Sequence, residues 1–147
     1  MGYNLLFNLS NKTALITGAA GLLGAEFAKG LAAHKCNLIL IDSDEYKLNE
    51  VSVMILNEFD IICKTFVCDI VDEQSVANLA KNIQEDNDNV DILINNVASK
   101  GSNLDEYFAG VEQYSIDTWN EILDVNLTSM FILAKVFGSK MAERKGG

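Results

Sequence analysis

The chain has no proline, one histidine, one tryptophan and three cysteines in 147 residues. With no proline there is no proline-rich linker, and no repeat or low-complexity stretch divides the sequence. A single domain spanning residues 1–147 is expected, within the size range of one folding unit. The lone histidine, His34, excludes a multi-histidine metal site and gives no basis for a Ser-His-Asp triad, so no metal is expected. Cys36, Cys63 and Cys68 are odd in number, form no Cys-x-x-Cys pair and lie in or beside apolar runs. They read as buried, reduced thiols. Positive charge is also scarce: 11 Lys and Arg stand against 21 Asp and Glu, for a net charge of −10. Such a surface repels phosphate backbones and anionic lipid, so neither nucleic acid nor membrane is expected as a partner. No uninterrupted apolar run approaches the roughly 18 residues that span a bilayer. Met1–Phe7 lacks the basic region of a secretory signal. A cytoplasmic location is the expectation.

What is present is an alternation. Short β-branched runs, Thr13–Ile16, Asn37–Ile41, Ile61–Cys68 and Val90–Ile94, are separated by longer helical stretches, Leu22–His34, Asp44–Phe59 and Asp72–Asp86. Strand–helix–strand repetition implies right-handed crossovers and a parallel sheet covered on both faces. In the first helix, Leu23, Phe27 and Leu31 recur every fourth residue and are expected to face the sheet. A long loop, Val97–Tyr114, leads to Ser115, which reads as the cap of a helix running to about Arg144. Its apolar stripe is predicted at Trp119, Ile122, Leu123, Met130, Leu133, Ala134 and Phe137. Leu127 and Phe131 on one side, and Val136 on the other, widen it enough for a second contact.

Thr17-Gly-Ala-Ala-Gly-Leu-Leu-Gly24 follows the first strand and opens the first helix. Glycines at 18, 21 and 24 suit a tight turn, a close backbone approach to a pyrophosphate and a close helix–strand crossing. The helix N-terminus adds free N–H groups for phosphate oxygens. Asp42 closes the second strand 18 residues after Gly24, near the roughly 20 expected of a ribose-binding acid. A carboxylate there accepts from both ribose hydroxyls and repels a 2′-phosphate, and no Lys or Arg lies in the turn to offset it. The expected cofactor is NAD(H).

Five segments taken together resemble the short-chain dehydrogenase/reductase family over essentially the whole chain. They are Thr17–Gly24, Asp42, Cys68-Asp69-Ile70, Asn95-Asn96-Val97-Ala98 and Trp119–Leu127. The resemblance implies a Rossmann-type doubly wound α/β fold with strand order 3-2-1-4, stopping before a fifth strand. It implies that Asp69 bonds the adenine amino group while Ile70 packs on the ring, and that Asn95–Ala98 lines the ribose and braces the sheet. Asn126 matches the family's catalytic asparagine, which holds a water in the proton relay. Cofactor contacts are thus expected at Gly18, Ala20, Gly21, Leu22, Leu23, Asp42, Ser43, Asp69, Ile70, Asn96, Val97 and Ala98.

Two departures stand out. Leu22 after Gly21 gives a spacing closer to the extended members, many of which act on nucleotide sugars, and Ala98 replaces the usual glycine of the Asn-Asn motif. The Asn-Asn element and Trp119–Asn126 favour the smaller type. The family's chemistry also needs a serine and a Tyr-x-x-x-Lys pair. None of Tyr3, Tyr46, Tyr107 and Tyr114 has lysine four positions on. The resemblance therefore implies the cofactor-binding part of an oxidoreductase acting on a small alcohol or carbonyl, with a homo-oligomer (dimer or tetramer) for the complete protein. An extended-type nucleotide-sugar epimerase or dehydratase, or a non-catalytic dinucleotide-binding module, are the alternatives.

Overall fold

The computed structural model of the protein describes residues 8–86 and 89–146; Met1–Phe7, read above for a secretory signal, lies outside them. Strands Thr13–Thr17 (β1), Asn37–Asp42 (β2), Cys63–Val67 (β3) and Ile92–Ile94 (β4) form one parallel sheet in the order β3-β2-β1-β4. The expected strand order is therefore observed. β4 starts two residues later than the apolar run that marks it. Just before it, the Asp91 carboxylate takes the Thr13 N–H at 3.0 Å and meets Lys12 Nζ at 3.2 Å, so a side chain serves the entry to β1.

Helices Leu22–Ala33 (α1), Glu45–Glu58 (α2) and Glu73–Glu85 (α3) join the strands. A single turn, Leu104–Tyr107 (α4), precedes the long helix Ile116–Glu143 (α5). Because strand side chains alternate in direction, the sheet feeds two cores. Ala14, Ile16, Leu38 and Leu40 meet α1 and α2 on one face, with Ala28, Ala32, Leu48 and Ile55. Leu15, Ile39 and Ile41 meet α3 and α5 on the other, with Val76, Leu79, Ile83, Leu133 and Phe137.

The stripe predicted for α1 is displaced by one residue. Gly24, Ala28 and Ala32 are buried, whereas Leu23 and Phe27 are 63% and 43% exposed. The helix crosses the sheet so closely that its smallest side chains face inward. α5 departs in a similar way. Thr118, Ser129, Ile132, Leu133 and Phe137 are buried, and Val136 packs on the same core. Trp119 and Ala134, placed in the stripe by periodicity, are exposed, as are Leu127 and Phe131. The reason is geometric: α5 winds wider over Asp124–Thr128 and Ala134–Gly138, with π-type hydrogen bonding. Each wide segment shifts the phase of the stripe. Ser129 and Ser139, which follow the wide segments, donate their hydroxyls back to the carbonyls of Val125 and Lys135.

By length and composition α5 could cross a bilayer, a property hidden from a count of uninterrupted apolar residues because polar residues interrupt it. Here its inner face covers the sheet. Both α1 and α5 end with a lysine in the left-handed region, Lys35 and Lys145. The next N–H reaches back to Leu31 O at 3.1 Å and to Met141 O at 3.2 Å. The end of α5, expected near Arg144, thus turns on Lys145.

Candidate dinucleotide site

Where the sheet's connections change direction, between β1 and β4, the chain leaves a cleft of about 910 Å³ outside the carboxyl ends of the strands. That is the place where open α/β sheets take ligands. All twelve residues named above as cofactor contacts line it: Gly18, Ala20, Gly21, Leu22, Leu23, Asp42, Ser43, Asp69, Ile70, Asn96, Val97 and Ala98.

The three glycines of the turn have three different reasons. Gly18 has φ +65°, a conformation that other residues adopt under strain. A Cβ on Gly24 would lie 2.2 Å from Gly18 O and 2.8 Å from Ala19 Cα, so the close crossing of α1 over the turn demands glycine. Gly21 answers to neither demand: its φ is −79° and a Cβ would meet only Gly18 O at 3.3 Å. Its bare face opens on the cleft. Gly21 is also the N-cap of α1 and offers no side-chain acceptor, and no acid stands in the first turn. By contrast, α2, α3 and α5 begin on Asp44, Asp72 and Ser115, whose side chains accept first-turn N–H groups. An uncapped helix start beside a bare glycine fits a phosphate group.

Asp42 is half-buried at the end of β2. Its Oδ2 accepts from Ala20 N at 2.9 Å and its Oδ1 from Asp44 N at 3.1 Å. The carboxylate thereby ties the glycine turn to the start of α2 and keeps further lone pairs for a ligand. On the β4 side, Asn96 braces the same turn. Its Nδ2 donates to Thr17 O and Gly18 O, both at 3.1 Å, and its N–H donates to Thr17 Oγ1 at 3.1 Å. Asn95 Oδ1 is buried with no partner among the described residues, an acceptor beside the sheet edge that β4 forms. Asp69 is exposed; its Oδ1 accepts from Val71 N at 3.1 Å, while the cap of α3 is Asp72.

Asn126 lies one residue beyond the cleft, whose wall there is Val125. Its Oδ1 accepts from Ser99 N at 2.6 Å and its Nδ2 donates to Ser99 O at 2.8 Å. The amide thus clamps the loop after β4 and retains one N–H and one lone pair.

A family model described as short chain dehydrogenase matches residues 12–147. The chain belongs to the short-chain dehydrogenase family. One short-chain dehydrogenase relative is the 2-dehydro-3-deoxy-D-gluconate 5-dehydrogenase of Pseudoalteromonas atlantica, 31% identical over 147 residues, covering 96% of this chain and 53% of that enzyme. Among solved structures, NAD+-bound xylitol dehydrogenase superposes with a TM-score of 0.83 at 24% identity, covering 96% of this chain and 52% of that one. A metagenomic short-chain oxidoreductase in complex with NADP gives a TM-score of 0.85 at 24% identity, covering 95% and 60%. At these identities the two structures establish the fold alone. The chain spans about half the length of the curated relatives it matches.

Several residues of this short-chain dehydrogenase cleft escape a motif search. Ile41, Val67 and Val71 wall it with apolar surface, and Cys68 exposes part of its side chain to it. Burial pushes the Cys68 thiol pKa up, helped by the charges of Asp69 and Asp72. Asp44 and Lys47 also line the cleft, and their charges lie 2.8 Å apart. The glycine turn itself carries no Lys or Arg, as read above, but Lys47 in the first turn of α2 brings a cation to the Asp42 end of the cleft. The signal was available: Lys47 lies three residues after the helix cap Asp44, a spacing that sets the two on one side of a helical turn.

Proposed function

We propose that this chain binds NAD(H) as the cofactor part of an oxidoreductase that interconverts a small alcohol and a carbonyl compound. The observation that carries the reading is the cleft itself. It joins the bare, uncapped start of α1 at Gly21 to the Asp42 carboxylate across one turn. When bound, the nicotinamide supplies the site that accepts or gives a hydride.

The chain's own residues divide the remaining work. Free N–H groups at the start of α1 receive the pyrophosphate. Asp42 accepts from ribose hydroxyls with the lone pairs that Ala20 and Asp44 leave. Asp69 offers its second oxygen to the adenine amino group, beside the apolar wall of Ile70 and Val67. Asp44 is paired with Lys47, which leaves the carboxylates Asp42 and Asp69 facing the cleft; their field disfavours a 2′-phosphate, which supports NAD(H) over NADP(H). Asn126 positions the Ser99 loop and has one N–H and one lone pair left for a water of a proton relay. Because no tyrosine of the chain precedes a lysine by four residues, we further propose that these 147 residues bind the dinucleotide without turning it over.

Leu127 and Phe131, 61% and 67% exposed on α5, supply apolar surface for a second subunit of the complete protein. Static light scattering showing a monomer for the complete protein would remove that part of the proposal. The cofactor reading is tested by calorimetric titration with NAD+ and NADP+. Saturable binding of NAD+, with NADP+ at least about tenfold weaker, is the expected result. Equal or tighter NADP+ binding would overturn the preference, and binding of neither would overturn the site.

A further inference from the structure

Lys47 is the only cation lining the cleft among the described residues, and its position follows from the first turn of α2. Asp42 Oδ1 receives the Asp44 N–H, which orders the two residues between β2 and α2. Asp44 then serves twice. Its Oδ1 accepts the Lys47 N–H at 3.1 Å as the helix cap, and its Oδ2 lies 2.8 Å from Lys47 Nζ. The side chain of a first-turn residue leans back toward the helix N-terminus, here the Asp42 end of the cleft. The pair is exposed, with 64% of the Lys47 and 38% of the Asp44 side chain open to solvent. Exposed pairs of this kind add little to stability. Its consequence is electrostatic: the one cation lining the cleft among the described residues is bound to a carboxylate.

We propose that the Asp44–Lys47 ion pair is a specificity device that withholds Lys47 from a 2′-phosphate and so keeps the cleft selective for NAD(H). This rests on the dinucleotide reading above and adds to it a named residue pair. Asp42 repels the phosphate, and the charge of Asp44 cancels the attraction Lys47 would exert. Breaking the pair without breaking the cap should therefore turn Lys47 into a phosphate ligand.

Asp44→Asn does this, because asparagine caps helices as well as aspartate and carries no charge. The 147-residue protein, Asp44→Asn and the double variant Asp44→Asn/Lys47→Gln are titrated calorimetrically with NAD+ and NADP+. The ratio of NADP+ to NAD+ affinity should rise about threefold to fivefold in Asp44→Asn. The gain should shrink at high salt. In the double variant the ratio should return to within about twofold of the parent, since the gain belongs to Lys47. An unchanged ratio in Asp44→Asn, or a gain that survives loss of Lys47, would overturn the proposal. If the parent binds neither dinucleotide, the cofactor reading fails and this inference falls with it. If the parent binds NAD+ and Asp44→Asn does not shift the ratio, only the inference falls.

Discussion

The side-chain amide of Asn126 engages both polar groups of the Ser99 backbone, taking its N–H at 2.6 Å and giving to its carbonyl at 2.8 Å. A residue on α5 thereby fixes the loop that leaves β4, 27 positions earlier in the chain.

Replacing Asn126 by leucine keeps the volume and removes both bonds, leaving a partly buried N–H and C=O without partners. Unfolding free energy should fall by about 1–3 kcal/mol, read from urea denaturation. A loss below about 0.5 kcal/mol, the range of ordinary surface changes, would show that water replaces the clamp.

Gly21 and Gly24 should respond oppositely to alanine. Gly24→Ala drives a methyl to 2.2 Å from Gly18 O and should destabilise the fold by about 1–3 kcal/mol. Gly21→Ala should change stability by less than about 0.5 kcal/mol yet weaken NAD+ binding. Thermal melts and calorimetry on the two variants separate these effects. Equal melting temperatures would refute the assignment of Gly24 to packing.

Asp42→Ala removes the acceptor that Ala20 N–H and Asp44 N–H share. NAD+ affinity should drop on the order of tenfold or more, the loss of charge-assisted hydrogen bonds. Retained NAD+ affinity in this variant would separate Asp42 from the ribose and leave it a turn residue.

The thiols give a pH-dependent readout. Burial pushes the Cys36 pKa from its ordinary value to about 11, whereas the unfolded thiol titrates near 9. A raised folded pKa contributes stability that is fully present below the unfolded value and is lost as pH rises through about 11. Stability should therefore decline across that alkaline window, and Cys36→Ala should flatten the decline in pH-dependent denaturation curves. Cys68 reports on the site directly, since it lines the cleft. Its alkylation should speed up as pH rises and slow when NAD+ is added. Unprotected labelling at saturating NAD+ would argue that the adenine end lies elsewhere.

Much of the candidate site is legible along the chain because it depends on residue type at fixed spacing. A turn with three glycines after a β-branched run, an acid closing the next run and two asparagines ending the fourth need no tertiary knowledge to be noticed. The inward face of α1 was less legible. Periodicity supplies a repeat but not its phase, and a close helix–sheet crossing selects Gly24, Ala28 and Ala32 over the more apolar Leu23 and Phe27. Along α5 the repeat itself changes where the helix widens, so a stripe counted at constant pitch assigns Trp119 and Ala134 to the wrong side.

The sequence by itself determined the four strands and the main helices, their order, the parallel topology and the residues gathered at the glycine turn, while the helical turn α4 lies in what reads as a loop. These follow from local backbone preference and from the handedness of strand–helix–strand crossovers. Tertiary structure alone decided which atoms meet. It bound Asn126 to Ser99 and tied Asp42 to Ala20. Each is a matter of distance and direction between side chains, which depend on how elements pack and not on how residues are spaced.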